Sequence, residues 1–154
     1  MTTKKIFIAS SAELKPERNE LVDLMMDLND ELEENGIKLN SVLWETMDSS
    51  MRAGRKEDEY LEKLRECEVC IVLFWKTLGE YTVEELDVAV AEMQAGRLPR
   101  RVYTLFKEPC EDITKELAEF KRNFASHYPM LEKSTFHDLK SLRERVKYFS
   151  QYLY

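Results

Sequence analysis

Residues 68–75, Glu-Val-Cys-Ile-Val-Leu-Phe-Trp, are the most apolar run of the chain. A short run without alternation predicts a central strand covered on both faces, as in a parallel sheet. Lys76–Glu80 reads as a turn around Gly79, and Val83–Ala95 as a helix. That helix carries Leu86, Ala89, Val90 and Met93 on one face, and Gly96 closes it. Thr82, with Glu85 three residues on, predicts a capping box at its start.

The same strand–turn–helix unit repeats outward in both directions. Upstream, Lys5–Ser10 is a short β-type run, and Pro16–Asn35 has helical spacing at Leu21, Leu24, Met25, Leu28 and Leu32. Gly36 stops that helix, and Ile37–Trp44 reads as a second strand. Glu45–Arg55 has no period and reads as a loop. Lys56–Glu66 is a polar helix with Tyr60, Leu61 and Leu64 inward. Downstream, Arg101–Lys107 is a fourth strand, Asp112–Ala125 a helix, Met130–Phe136 a weaker fifth strand and His137–Tyr154 a last helix. Five βα units in alternation predict an α/β fold, a flavodoxin-like three-layer α/β/α with a five-stranded parallel sheet in the order 2-1-3-4-5.

The 154 residues fit a single domain over 1–154, with no linker. Hydrophobic residues at 44% can fill a core, and four glycines and four prolines are too few for a low-complexity chain. Thirty acidic residues against 23 basic ones give a net charge of −7, the wrong balance for a nucleic-acid binder. No apolar run is long enough for a membrane span or a signal peptide, so a cytoplasmic protein is expected. Cys67 and Cys70 form a C-x-x-C at the mouth of an apolar run, without a second ligand pair. They read as structural, with no metal site.

In open α/β sheets a ligand sits beyond the carboxyl ends of the strands, where strands 1 and 3 diverge. The residues in that place are Ser10 and Ser11 after strand 1, Trp44, Arg52 and Arg55 after strand 2, and Trp75, Lys76 and Tyr81 after strand 3. Glu84 and Glu85 follow in the first turn of the next helix. Dinucleotide, P-loop and nucleophile-elbow fingerprints are absent. The serines serve either as donors to ribose or phosphate or as a plain strand end. The arginines suit pyrophosphate or solvent, and the tryptophans a base or the core. Lys76 suits a phosphate, Glu85 or solvent.

Three segments resemble the TIR (Toll/interleukin-1 receptor) superfamily, and bacterial TIR-like domains of multidomain defence and signalling proteins most of all. They are Lys5–Ser11 with Glu17–Leu21, Leu43-Trp44-Glu45 with the loop through Gly54, and Cys70–Leu86. The last holds Tyr81, then Glu85 four residues on, then Leu86, where TIR domains carry an aromatic residue, a glutamate and an aliphatic one. Tyr81 stands where Trp is common, and Glu84 leaves the register of the acid open by one residue.

The resemblance implies cleavage of the nicotinamide–ribose bond of NAD, here a substrate and not a cofactor. Glu85 would be the catalytic carboxylate, and Ser10, Ser11, Trp44, Arg52, Arg55, Trp75, Lys76 and Tyr81 substrate-binding residues. It also implies self-association, and a downstream sensor or NTPase domain if the chain is the N-terminal part of a larger protein. The chemistry is coherent: nicotinamide leaves without a general acid, and a carboxylate offsets charge developing on the ribose. Two alternatives stand beside it, a noncatalytic TIR-type interaction module and a nucleoside deoxyribosyltransferase-like enzyme.

Overall fold

In the computed structural model, which describes residues 1–43, 56–79 and 81–153, five parallel strands alternate with five helices. The strands are β1 (Thr2–Ser10), β2 (Ile37–Val42), β3 (Val69–Phe74), β4 (Arg101–Lys107) and β5 (Lys133–Phe136). The helices are α1 (Lys15–Leu32), α2 (Lys56–Leu64), α3 (Thr82–Gln94), α4 (Lys115–His127) and α5 (Leu139–Phe149). The sheet order is β2-β1-β3-β4-β5, the flavodoxin-like order the alternation predicts. All six residues of β3 are buried, as expected of a strand with helices over both faces.

Alternate side chains divide the core into two layers. Ile6, Ile8, Ile71, Leu73 and Leu105 meet Leu21, Leu24 and Leu28 of α1 and Leu142 and Val146 of α5. Phe7, Ala9, Cys70, Val72, Phe74 and Phe106 meet α2, α3 and α4 on the other face. Tyr60, Leu61 and Leu64 point inward from α2, as their spacing predicts. Cys67 and Cys70 lie in this second layer, and the Cys67 thiol donates to the Lys63 carbonyl at 3.2 Å.

Some boundaries depart from expectation. β1 begins three residues early because Thr2 pairs with Ile37 in β2. The α1 helix tightens into a 3-10 turn over Glu33–Asn35 before Gly36, which adopts φ 70°. The α4 helix starts at Lys115, where the Thr114 side chain accepts from the Leu117 N–H. Asp138 caps α5 through a capping box with Ser141, and α5 passes into a 3-10 turn over Ser150–Leu153. Phe149 stacks on Tyr103 at 4.0 Å, whereas Leu139, in the first turn of α5, is exposed. No described helix is long and apolar enough to cross a membrane.

Candidate functional site

Parallel strands β1 and β3 lie side by side, with Ser10 opposite Leu73, and β2 and β4 flank them on opposite sides. The chain after β1 turns to one face of the sheet and the chain after β3 to the other, and in sheets of this order the crevice between two such exits is where ligands bind. Glu13, in the 3-10 turn Ala12–Leu14, ties the two exits together. Its carboxylate accepts from the Thr77 N–H at 3.0 Å, the Lys76 N–H at 3.3 Å and the Thr77 hydroxyl at 2.9 Å. Burial acts to raise its pKa, but the Ser11 and Thr77 groups more than offset this and hold it below the ordinary value.

Gly79 is where the two exits touch. A Cβ there would collide with Thr82 Oγ1 and sit 3.3 Å from Cα and Cβ of Ser11. Thr82 and Ser11 are both buried at this junction. The Ser11 hydroxyl is near enough to Glu13 to favour its charge, yet no hydrogen bond of good geometry reaches its Oγ among the described residues.

The α3 helix rises from the junction, and its start differs from the expected one. Tyr81 is the N-cap, with no side-chain capping bond, and Thr82 is already helical. The predicted capping box does not form, because the Thr82 side chain is packed against Gly79. The Glu85 carboxyl is therefore not used as a cap; its backbone N–H donates to the Tyr81 carbonyl at 2.9 Å.

Glu85 is only 4% exposed, and Glu84 is half-buried beside it. The Glu85 side chain forms a hydrogen bond with Glu57 of α2, itself 6% exposed. A carboxylate only accepts, so this bond requires a proton on one of the two acids. Burial pushes the Glu85 carboxyl up to about 9, and the neighbouring Glu57 and Glu84 charges push the same way. Glu57 is the residue that sequence reading passed over. Its spacing to Tyr60, Leu61 and Leu64 places it on the buried stripe of α2, which was the available signal.

The other anticipated residues fall into three groups. Ser10 and Ser11 sit at the crevice, but both are engaged by Arg18. This buried guanidinium donates to Ser10 Oγ at 2.6 Å and to the Ser11 carbonyl at 2.8 Å. Trp75 packs with the α1 and α5 layer, under the ammonium groups of Lys107 at 3.9 Å and Lys76 at 4.2 Å. It thus belongs to the layer across the sheet from α3. Lys76 pairs with Asp112 at 3.4 Å, because the Thr114 N–H bonds the Lys76 carbonyl and draws in the chain after β4. Trp44, Arg52 and Arg55, with the rest of the loop Glu45–Arg55, lie outside the described residues.

No family model matches the sequence, and no curated protein matches it. Solved structures do. The Clostridium botulinum CMP N-glycosidase BcmB superposes with a TM-score of 0.56 at 17% identity, covering 95% of this chain and 99% of that one. The Staphylococcus aureus homoserine dehydrogenase gives a TM-score of 0.44 at 9% identity, covering 90% of this chain and 32% of that one. RosB gives 0.42 at 13% identity, covering 94% and 76%. At these identities the likeness is one of fold, and BcmB shares the three-layer α/β architecture over nearly the whole of both chains.

Proposed function

We propose that this chain cleaves the N-glycosidic bond of a nucleotide, with Glu85 beside the ribose. One observation carries the reading: a glutamate at the switch-point crevice is buried against a second carboxyl instead of capping its helix. Such burial is costly for stability and supplies no structural bond that an uncharged residue could not make. It suits an oxocarbenium-like transition state, in which negative charge close to C1 of the ribose is worth most in a water-poor site. An enzyme of similar fold, the CMP N-glycosidase, breaks a bond of this kind.

The resemblance to TIR domains makes NAD the first substrate to test. Nicotinamide departs neutral from a cationic ring, and that cation would itself favour the ionised form of the pair. The same resemblance makes self-association part of the proposal, so the assay belongs at high protein concentration. The purified chain is incubated with NAD and, separately, with CMP, and release of the free base is followed by chromatography. Wild type is expected to release base from at least one of them. Glu85→Gln is expected to lose at least about 100-fold of that rate while remaining folded. Equal rates for the two proteins would refute the assignment of Glu85. No release even after forced clustering would favour a noncatalytic interaction module. Adding a free acceptor base separates hydrolysis from base exchange of the deoxyribosyltransferase type.

A further inference from the structure

The two edges of the sheet are finished differently. β2 and β5 are the edge strands, and an edge strand turns every second N–H and C=O away from its neighbour. On β2 this outer side is taken at Leu39. The Asn29 carboxamide of α1 accepts from the Leu39 N–H at 2.7 Å and donates to the Leu39 carbonyl at 3.2 Å. It occupies the place that a peptide of a further strand would need. On β5 the Phe136 carbonyl accepts from the Glu108 N–H, so Phe136 faces β4 and its neighbour Thr135 faces outward. Among the described residues nothing takes this outer side of Thr135.

Beside β5 runs a stripe of α5. Ser141, Glu144, Arg145 and Tyr148 share one side of the helix by their spacing, and Tyr152 continues it in the turn beyond. A cavity of about 540 Å³ lies between this stripe and Thr135 and Phe136 of β5. Tyr148 is 63% exposed and Tyr152 46%, and their rings lie 6.5 Å apart. Glu144 and Arg145 are exposed too, and neither makes an ion pair among the described residues. Arg143, by contrast, is turned toward α1 and held there by Glu20 and Asp27.

We propose that a second copy of this chain docks here, β5 against β5 about a two-fold axis. Two copies of one edge strand pair antiparallel when a two-fold relates them, and their α5 helices then run antiparallel as well. Glu144 and Arg145 line the same cavity as Thr135, so they stand level with the strand and close to the axis. The stripe is complementary to itself in that arrangement. Glu144 of each copy meets Arg145 of the other, and Tyr148 of each enters the cavity beside the other's Ser141. Pairing of like edges closes a dimer and leaves the edges blocked by Asn29 outside, so growth stops at two copies. The self-association in the proposed function thereby acquires a surface, one set by the sheet edges and independent of the chemistry at Glu85.

Sedimentation equilibrium of the full chain at a series of concentrations tests this. Wild type is expected to fit a monomer–dimer equilibrium with no larger species. Arg145→Glu sets acid against acid across the axis and is expected to weaken the dimer at least about tenfold. Glu144→Arg combined with Arg145→Glu exchanges the charges and is expected to restore it. Thr135→Pro removes an outward N–H, which an edge strand tolerates, and is expected to leave a folded monomer. A wild type that stays monomeric, or that assembles beyond two copies, would overturn the inference. So would an Arg145→Glu dimer as tight as wild type, or a double variant no tighter than the single one. The charge variants lie on the surface and decide the matter even if Thr135→Pro does not fold. A dimer that releases no base would sink the cleavage reading alone, and a monomer that releases base would sink this surface alone.

Discussion

Glu13 reaches across 64 positions of sequence to take hydrogen bonds from both the N–H and the hydroxyl of Thr77. It is the clasp between the chain leaving β1 and the chain leaving β3. Glu13→Ala is expected to lower stability by about 1.5 kcal/mol, the usual worth of charge-assisted hydrogen bonds in a partly exposed place. Its folded pKa is lowered, so this contribution is present above the ordinary value of 4.5 and lost as pH falls through the folded value. Denaturant titrations of both proteins at pH 7 and pH 3 check this. The gap between them is expected to narrow at the lower pH.

Glu85 behaves in the opposite sense. Its folded pKa is raised to about 9 from an ordinary value of 4.5. Between those two values the folded chain binds the extra proton and the unfolded chain does not, so stability falls as pH rises across that window. Glu85→Gln removes the ionisation. It is expected to raise the unfolding midpoint at pH 8, by about 1–3 kcal/mol in free energy, and to flatten the dependence on pH. Thermal melts from pH 5 to pH 9 measure both effects. A variant less stable than wild type at pH 8 would contradict the burial argument.

Gly79→Ala is expected to destabilise by about 1–3 kcal/mol, because its methyl group overlaps Thr82 Oγ1 and crowds Ser11. Combining it with Thr82→Ala clears the nearer obstacle. The double variant is expected to recover part of the loss, and a double-mutant cycle measures the coupling. Additive losses would mean that the clash is relieved elsewhere.

Away from the crevice, the Tyr128 hydroxyl donates to Asp87 at 2.7 Å and fixes the end of α4 to α3. Burial and the Asp87 carboxylate raise the Tyr128 pKa above its ordinary value. Tyr128→Phe keeps the ring contacts with Phe120 and Phe124 and removes only the hydroxyl. A loss of about 1–1.5 kcal/mol in denaturant titration is expected.

Much of this fold was legible in the sequence. Apolar runs at 68–75 and 101–107, separated by helical periodicity, leave few arrangements open once crossovers are right-handed. The sheet order follows that pattern, and β3 is buried throughout as its composition implies. Local chemistry was less legible. Thr82 has the spacing of a cap but spends its side chain on a contact with Gly79, a tertiary demand that overrides the local signal. Glu57 reads as one acid among several in a polar helix; only its phase with Tyr60, Leu61 and Leu64 marks it as inward. Arg18 and Glu17 were likewise passed over. Both are buried on α1, and Lys107 pairs with Glu17 at 3.3 Å from 90 positions away, a partner no local pattern announces. Lys76 went to Asp112 for the same reason.

The two inner cysteines have a practical consequence. Cys67 and Cys70 are sealed in the α2–α4 layer, with burial pushing the Cys67 thiol up to about 12 and the Cys70 thiol well above its ordinary value. Cys110 is half-buried by comparison. Thiolate is the reactive form, so a thiol reagent marks Cys110 first and meets the other two only when the layer opens. The chain carries its own event counter: the second and third mass increments record how often the sheet parts from its helices, under native conditions and without any added label.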